Sequence, residues 1–347
     1  MTWTADVLGD GFEAYAFTVS DSSGQARRAT LVRHITPDGP AGSLRSGAAL
    51  EAGPVAPHRR AVLFLHGWSD YFFNTELATF WAESGYSFFA LDLHNHGRSI
   101  QTDSPNGYVA DLEHYDAEID QALQLLNDST GASDSDPTEV TLMGHSTGGL
   151  VATLWLSRNP GRVARLVLNS PWLEMHGSSL VRRVLGTMLS PISYLRPEAV
   201  MKLPQRGYYW RSISDEADGE WTLDRSFRPP YAFPVRAGWL SAVLSGQDQV
   251  AKGLDIDVPV LVLMSASSQT GMAWTENMRT ADAVLDVNTM AARSLALGQS
   301  VTVERVSGAL HDVFLSREDV RVEAYFRLSR WLGGYAPPAG APSTAAP

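Results

Sequence analysis

Cysteine is absent from the 347-residue chain, which excludes disulfides, thiolate metal ligands and a cysteine nucleophile. No uncharged apolar run reaches the roughly 18–20 residues that a helix needs to cross a bilayer. Basic residues are the minority, since 27 Lys and Arg stand against 38 Asp and Glu and give a formal net charge of -11. A surface with that balance repels phosphate backbones, so nucleic acid is not expected as a partner.

The amino-terminal residues 1–6 lack a basic stretch followed by an apolar one, so no signal peptide is identified and a cytoplasmic protein is expected. Hydrophobic residues make up 44% of the chain and charged residues 19%, a composition typical of a globular protein with a sizeable core. At about 100–200 residues per domain, the length allows one large domain or one domain with an insertion.

Two alternating runs, residues 12–19 and 29–35, flank the turn-forming residues 21–24 and predict an antiparallel hairpin. Residues 37–57 are rich in Pro, Gly and Ala and predict a loop. Farther along, short continuous apolar runs alternate with helical patterns. Continuous runs are typical of strands buried on both faces of a parallel sheet. The apolar runs are residues 61–65, 87–91, 140–143, 166–168, 260–264 and 301–303.

Helical patterns fill the gaps between these runs, so the core is predicted to be α/β. They include residues 116–126, residues 149–158, and residues 318–332 ended by Gly333 and Gly334.

One long interval breaks the alternation. Residues 171–258 contain no buried-strand pattern and many aromatic residues, and we expect them to form a mostly helical cap. The core would then consist of residues 1–170 and 259–335. Residues 336–347 are rich in Pro, Ala, Gly and Ser and predict a disordered tail.

A candidate nucleophile lies in residues 144–148, which read Gly-His-Ser-Thr-Gly and fit the pattern G-x-S-x-G. A buried-strand run precedes the pattern and a helical pattern follows it, the context in which this serine acts as a nucleophile. A strand that turns directly into a helix strains the serine backbone, and neighbouring Cβ atoms would collide, so the turn requires glycine. We therefore predict Ser146 as the nucleophile, supported by Gly144, His145 and Gly148.

A second turn is predicted after the strand run 61–65, where His66 and Gly67 are followed by Trp68. A strand that ends in His-Gly suits a tight turn whose next amide points into the pocket. We predict the backbone N–H of Trp68 as one donor to an oxyanion and that of Thr147 as the other, with Gly67 in support. His66 is expected to make structural hydrogen bonds rather than to act as a general base.

Two further histidines, His94 and His96, could share one side of an extended chain and bind a metal. No other histidine or carboxylate at ligand spacing completes such a site. We therefore predict a loop that buttresses the turn at residues 66–68, called the oxyanion turn below. No metal and no cofactor are predicted. Hydride transfer is disfavoured because no strand run is followed by G-x-G-x-x-G.

These motifs, taken in chain order, resemble those of the α/β-hydrolase superfamily. They are the strand followed by His-Gly, the sequence Asp-x-x-x-His-Gly-Arg-Ser at residues 92–99, and Gly-His-Ser-x-Gly-Gly at residues 144–149. Within the superfamily the chain is most similar to the monoglyceride-lipase and lysophospholipase-like branch, also called serine aminopeptidase-like. The resemblance covers about residues 60–332. It implies the α/β-hydrolase fold, with a mostly parallel central sheet flanked by helices, an N-terminal antiparallel hairpin and a helical cap.

The resemblance also implies the chain order nucleophile, acid, histidine. His311 is the single histidine after His176 and precedes the last helical pattern, so it is implied as the general base. In similar sequences an Asp-x-Val-x-Asp pattern closely follows the strand that corresponds to residues 260–264.

Here that pattern occurs later, at residues 282–286. We interpret residues 266–280 as an insertion and predict Asp282 as the acid. Asp286 and Glu174 remain alternatives.

The expected reaction is hydrolysis of a small-molecule carboxylic ester, with a lipid-like or other apolar acyl group, through an acyl-enzyme. The same residues could cleave an amide or peptide bond, or transfer the acyl group to another alcohol. A catalytically inactive binding protein with this fold is a further alternative.

Overall fold

The computed structural model describes most of the chain, namely residues 1–35, 59–133, 136–175, 191–203 and 206–335. The predicted loop at 37–57 and the predicted tail at 336–347 lie outside the described residues, as do residues 176–190 of the predicted cap.

Nine strands of the described residues form one sheet. In chain order they are β1 (Thr4–Ala5), β2 (Phe12–Ser20), β3 (Ala26–His34), β4 (Arg60–Leu65), β5 (Ser87–Asp92), β6 (Glu139–His145), β7 (Arg165–Asn169), β8 (Val260–Ser265) and β9 (Val301–Val306). Across the sheet the order is β1-β2-β3-β5-β4-β6-β7-β8-β9.

The pairing divides the sheet into two parts. β1, β2, β3 and β5 pair with one another antiparallel, whereas β5, β4, β6, β7, β8 and β9 pair in parallel. The predicted hairpin is β2–β3, and the predicted apolar runs are the six strands of the parallel part. The sequence prediction of a mostly parallel sheet with an N-terminal hairpin is therefore confirmed. It missed β1, because two residues carry no readable period.

Helices cover both faces of the sheet. In chain order they are α1 (Thr75–Glu83), α2 (Asp116–Thr130), α3 (Thr147–Arg158), α4 (Tyr208–Ile213), α5 (Ala237–Ala251), α6 (Val287–Ser294) and α7 (Glu318–Gly334), and residues 191–195 are also helical. The prediction that α7 ends before Gly333 was wrong, since the helix includes both glycines, neither of which has a positive φ. No helix of the described residues is long and apolar enough to cross a membrane.

Two hydrophobic layers sandwich the parallel strands. In β4, Leu63 and Leu65 face a cluster with α2, α3, α5 and α6, whereas Val62 and Phe64 face a cluster with α1 and α7. Because successive side chains of a strand point to opposite faces, burial on both faces requires a continuous apolar run. Each fully buried leucine contributes about 1.5–3 kcal/mol of transfer free energy. This explains why the parallel strands were readable from the sequence.

The segment between β7 and β8 lies at the carboxyl ends of the parallel strands. Its residues Ile213 and Leu223 pack in one apolar cluster with Tyr71, which follows β4, and with Leu310 and Leu315, which follow β9. Loops after parallel strands meet at this edge of the sheet, the usual place for a ligand site in an open α/β sheet.

Candidate active site

Ser146 occupies the sharp turn between β6 and α3, with φ 52° and ψ -116°. A serine with positive φ is strained, and the surrounding structure must hold it there. Its N–H donates to the carbonyl oxygen of Asn169 at 3.0 Å. Its own carbonyl oxygen accepts from the N–H groups of Gly149, Leu150 and Trp172 at 3.1, 3.3 and 2.9 Å. Hydrogen bonds on both sides therefore fix the strained backbone.

The glycines of this turn are required by close backbone contacts. A Cβ atom on Gly148 would lie 2.2 Å from the carbonyl oxygen of His66 and 2.5 Å from that of Leu65. A Cβ atom on Gly144 would lie 2.6 Å from the carbonyl oxygen of Gly148. Real Cβ contacts do not occur at these distances, so a larger residue would displace Ser146 or the oxyanion turn.

His311, in the loop between β9 and α7, joins Ser146 to Asp282. Its Nε2 lies 3.0 Å from Ser146 Oγ, and its Nδ1 lies 2.8 Å from Asp282 Oδ2. An ionised carboxylate can only accept hydrogen bonds, so Nδ1 carries the ring proton and Nε2 accepts from the serine hydroxyl. His311 and Asp282 are 2% and 0% exposed, so the bond between them is shielded from water.

Asp282 is held by backbone groups around it. Its Oδ1 accepts the N–H of Val284 at 2.8 Å and that of Leu285 at 2.7 Å. Its own N–H donates to the carbonyl oxygen of Ser267 at 2.9 Å. Ser267 follows β8 closely, so residues 268–281 form a closed excursion that returns Asp282 to the carboxyl end of β8.

The two alternative acids occupy other positions. The carboxylate of Asp286 accepts the N–H of Thr289 at 2.6 Å and caps the start of α6. Glu174 receives two hydrogen bonds from Arg293, at 2.8 and 3.0 Å. Both ring nitrogens of His311 are already occupied by Asp282 and Ser146.

The predicted oxyanion turn packs directly against the serine. A Cβ atom on Gly67 would lie 3.3 Å from Ser146 Cβ. In the part of the chain that the structure describes, neither the N–H of Trp68 nor that of Thr147 donates to a protein acceptor. Thr147 is the first residue of α3, where the N–H has no partner within the helix. Both amides therefore lie beside Ser146 with their donors unused by the fold.

His66 holds the oxyanion turn against the loop after β5. Its Nε2 accepts the N–H of Leu93 at 3.1 Å, and its Nδ1 donates to the carbonyl oxygen of Gly67 at 2.6 Å. Both ring nitrogens therefore bind backbone groups, as expected for a structural histidine.

His94 and His96 lie in the loop after β5 and point into the protein. The His94 ring and backbone N–H both bind the buried carboxylate of Glu118, and His96 Nδ1 donates to the His94 carbonyl oxygen at 2.9 Å. Burial lowers the pKa of His96 well below its ordinary value of 6.5, so its ring is neutral. The same ring packs against the His66 ring at 4.9 Å between centroids, so the loop does buttress the oxyanion turn. Among the described residues no group of three or more His, Cys, Asp or Glu could hold a metal ion.

A buried hydrogen-bond network, which was not predicted from the sequence, joins the end of β6 to the loop that carries His311. Asn169, the last residue of β7, donates through Nδ2 to Asp312 Oδ1 at 2.6 Å and accepts the N–H of Val313 at 3.1 Å. Its carbonyl oxygen accepts from His145 Nδ1 at 3.0 Å, and burial lowers the pKa of His145, which keeps that ring neutral. A polar residue that ends an apolar run was the available signal.

Ser146 and His311 open into a cavity of about 410 Å³. Its walls are mainly aromatic and apolar. They come from the oxyanion turn, from the loop between β8 and α6 that carries Asp282 (the acid loop), and from the segment between β7 and β8. These wall residues include Trp68, Trp172, Tyr209, Trp210, Trp239, Leu240 and Leu285. Among the described residues, its charged lining side chains are Asp70, Arg206 and Arg228. Neither Asp70 nor Arg228 was assigned a role from the sequence, and their side chains form a buried ion pair at 2.6 Å.

Comparison with known proteins agrees with this fold. The family model for serine aminopeptidase, S33, matches residues 56–271. Phospholipase YtpA of Bacillus subtilis is 33% identical over 125 residues, which are 35% of this chain and 42% of YtpA. Lipase LipV of Mycobacterium tuberculosis is 33% identical over 150 residues, 42% of this chain and 49% of LipV. The chain therefore matches less than half the length of each of these relatives.

A solved structure is similar over almost the whole chain. A soluble variant of monoglyceride lipase from Saccharomyces cerevisiae, in complex with a substrate analog, is 12% identical with a TM-score of 0.59. The alignment covers 97% of this chain and 94% of that one, and it shows a shared fold. Since the family model spans more than half of the chain and the sheet is mostly parallel with an N-terminal antiparallel part, the protein belongs to the serine aminopeptidase, S33, family of α/β-hydrolases.

Proposed function

We propose that the protein is a serine hydrolase that cleaves carboxylic esters with apolar acyl groups through an acyl-enzyme. The observation that carries the proposal is the pair of hydrogen bonds made by His311, 3.0 Å to Ser146 Oγ and 2.8 Å to Asp282 Oδ2. A nucleophile within hydrogen-bond reach of a base, which is in turn oriented by a carboxylate, is the arrangement that activates a serine.

In the first half of the reaction Ser146 Oγ attacks the ester carbonyl carbon, and its proton passes to His311 Nε2. The carbonyl oxygen becomes an oxyanion that accepts hydrogen bonds from the N–H groups of Trp68 and Thr147. The tetrahedral intermediate collapses when the bond to the alcohol oxygen breaks. The alcohol leaves with the proton from His311, and the acyl group stays on Ser146.

In the second half a water molecule gives a proton to His311 Nε2 while its oxygen attacks the acyl carbon. The Ser146 oxygen then leaves, takes back that proton and releases the free acid. Throughout, Asp282 fixes the proton on His311 Nδ1 and stabilises the imidazolium.

The cavity walls favour an apolar acyl group. Aromatic and aliphatic side chains make most of the lining, and the volume of about 410 Å³ holds a small-molecule substrate. Cavities of roughly 300–1,000 Å³ are usual for such ligands. We further propose that residues 171–258 act as a cap on a core formed by residues 1–170 and 259–335, because α5 and the loop around Arg228 supply part of the lining.

The charged side chains of the cavity favour an ester substrate over a peptide with a free amino terminus. A free α-amino group is bound in proteins by a carboxylate. Among the described lining residues that carboxylate would be Asp70, which already pairs with Arg228. The names of YtpA, LipV and the yeast enzyme also refer to ester substrates.

The test is a panel of p-nitrophenyl esters from acetate to palmitate, run on the wild type, on Ser146→Ala and on a control, Ser157→Ala, in the helix α3 that follows Ser146. We expect kcat of Ser146→Ala to fall by about 10⁴-fold or more, while Ser157→Ala stays within twofold. The chain-length optimum then measures the acyl pocket.

Three outcomes would contradict the proposal. Activity retained by Ser146→Ala would exclude the serine mechanism. Faster cleavage of aminoacyl p-nitroanilides than of any ester would favour a peptidase. A wild type inert on every substrate would favour a binding protein with this fold.

A further inference from the structure

A buried ion pair in the cavity wall takes no part in the proposed chemistry. Arg228 Nη1 donates to Asp70 Oδ1 at 2.6 Å, and the two residues are each 6% exposed. The same oxygen of Asp70 also accepts the N–H of Tyr71 at 2.9 Å. Taking two charges out of water is costly, and a buried pair often adds little net stability. Its position therefore needs an explanation other than stability.

The pair links two distant parts of the chain at the oxyanion turn. Asp70 follows Trp68 by two residues, whereas Arg228 lies 158 positions farther along, between β7 and β8. Neighbouring contacts tie the same two segments, since the Phe233 N–H donates to Ser69 Oγ at 3.0 Å. The Trp68 ring, in turn, stacks on α5 through Trp239 at 4.3 Å between centroids.

Arg228 also reaches the histidine side of the site. Its guanidinium lies 4.9 Å from the centre of the Tyr209 ring. The Tyr209 ring stands edge-on to His311, with 5.2 Å between ring centroids. The guanidinium is thus placed between the turn that carries the Trp68 amide and the ring that packs on the catalytic base.

We propose that Arg228 is a positioning residue that fixes the oxyanion turn through Asp70; this inference rests on the proposed ester hydrolysis. An oxyanion is stabilised only by donors about 2.7–3.1 Å away, and a misplacement of about 1 Å costs roughly 10²-fold in rate. Arg228 holds the turn by a charge-assisted, directional hydrogen bond. It also neutralises the Asp70 carboxylate, which would otherwise repel the oxyanion that forms nearby.

The test compares Arg228→Ala with Arg165→Ala on the ester that the wild type prefers. Arg165 is a matched control because it is 6% exposed and pairs with Glu139 at the amino ends of β6 and β7, away from the site. We expect kcat of Arg228→Ala to fall by about 10- to 100-fold with KM within about twofold, as for a contact that matters in the transition state. Arg165→Ala loses thermal stability and keeps its kcat.

Chemical rescue separates positioning from general destabilisation. Methylguanidinium fits the space that the Arg228 side chain leaves, so we expect added methylguanidinium to raise the kcat of Arg228→Ala several-fold. The same additive leaves Arg165→Ala unchanged. Arg228→Lys keeps the positive charge, so it is expected to fold even if the alanine variant does not. Its kcat is expected to lie between those of Arg228→Ala and the wild type.

The inference is overturned if Arg228→Ala, or Arg228→Lys where the alanine variant does not fold, keeps the wild-type kcat. It is also overturned if Arg165→Ala loses as much kcat as Arg228→Ala does and methylguanidinium does not raise the kcat of Arg228→Ala. An inert wild type would instead defeat the proposed function, so the two failures are distinguishable.

Discussion

The turn that carries Ser146 and the loop that carries Asp282 differ in what holds them in place. The serine turn is fixed by backbone contacts so close that a Cβ atom on Gly148 would lie 2.2 Å from a carbonyl oxygen. The acid loop is fixed by hydrogen bonds at Asp282, whose N–H donates to the Ser267 carbonyl oxygen and whose carboxylate accepts two backbone N–H groups. The first construction tolerates no extra atom. The second tolerates an excursion of many residues, because only its two ends need to meet.

The largest effect is expected where the acid loop meets the histidine. Asp282→Asn preserves the shape of the side chain but cannot hold the proton on His311 Nδ1 in the same way, so kcat should fall by about 10⁴-fold. Asp286→Asn is the matched control, because asparagine caps a helix as well as aspartate does and both activity and stability should be retained. Steady-state kinetics on one ester measure the activity of both variants. A large loss in Asp286→Asn with little in Asp282→Asn would reverse the assignment of the acid.

A smaller effect, on stability, is expected in the serine turn. Gly148→Ala forces an atom into the backbone of the oxyanion turn and should lower the free energy of unfolding by about 3 kcal/mol. The control Gly333→Ala lies in α7, where the added Cβ would meet no described atom within 4 Å beyond its chain neighbours and the helix backbone, and it should raise stability by up to about 1 kcal/mol. Urea unfolding measures both variants. Equal stabilities would show that the turn relaxes, and the contrast with the acid loop would be lost.

The sequence predicted best those features whose cause is local. Continuous apolar runs exist because the strands are buried on both faces, and Ser146 stands in a pattern whose Gly144 is required by a contact within the same turn, with the carbonyl oxygen of Gly148. Asp282 followed from the resemblance to similar sequences, once the insertion after β8 was recognised. The cytoplasmic location and the cap boundaries at residues 171 and 258 stay predictions.

Features that depend on distant pairs were missed. Asp70 and Arg228 are 158 positions apart, and Asn169 and Asp312 are 143 positions apart. No periodicity or turn preference encodes such a pair, since each partner alone reads as an ordinary polar residue. Only the packing of the segment between β7 and β8 against the strand ends brings Arg228 to Asp70, and only the fold of the loop after β9 brings Asp312 to Asn169.

The role of Ser146 as nucleophile is tested most directly by labelling the protein with a fluorophosphonate and mapping the adduct by mass spectrometry. The reagent bonds covalently to a serine oxygen that an adjacent base has activated. We expect one adduct, on Ser146, formed far more slowly in His311→Ala and not at all in Ser146→Ala. An adduct on a different serine, or none in a protein that hydrolyses esters, would contradict it.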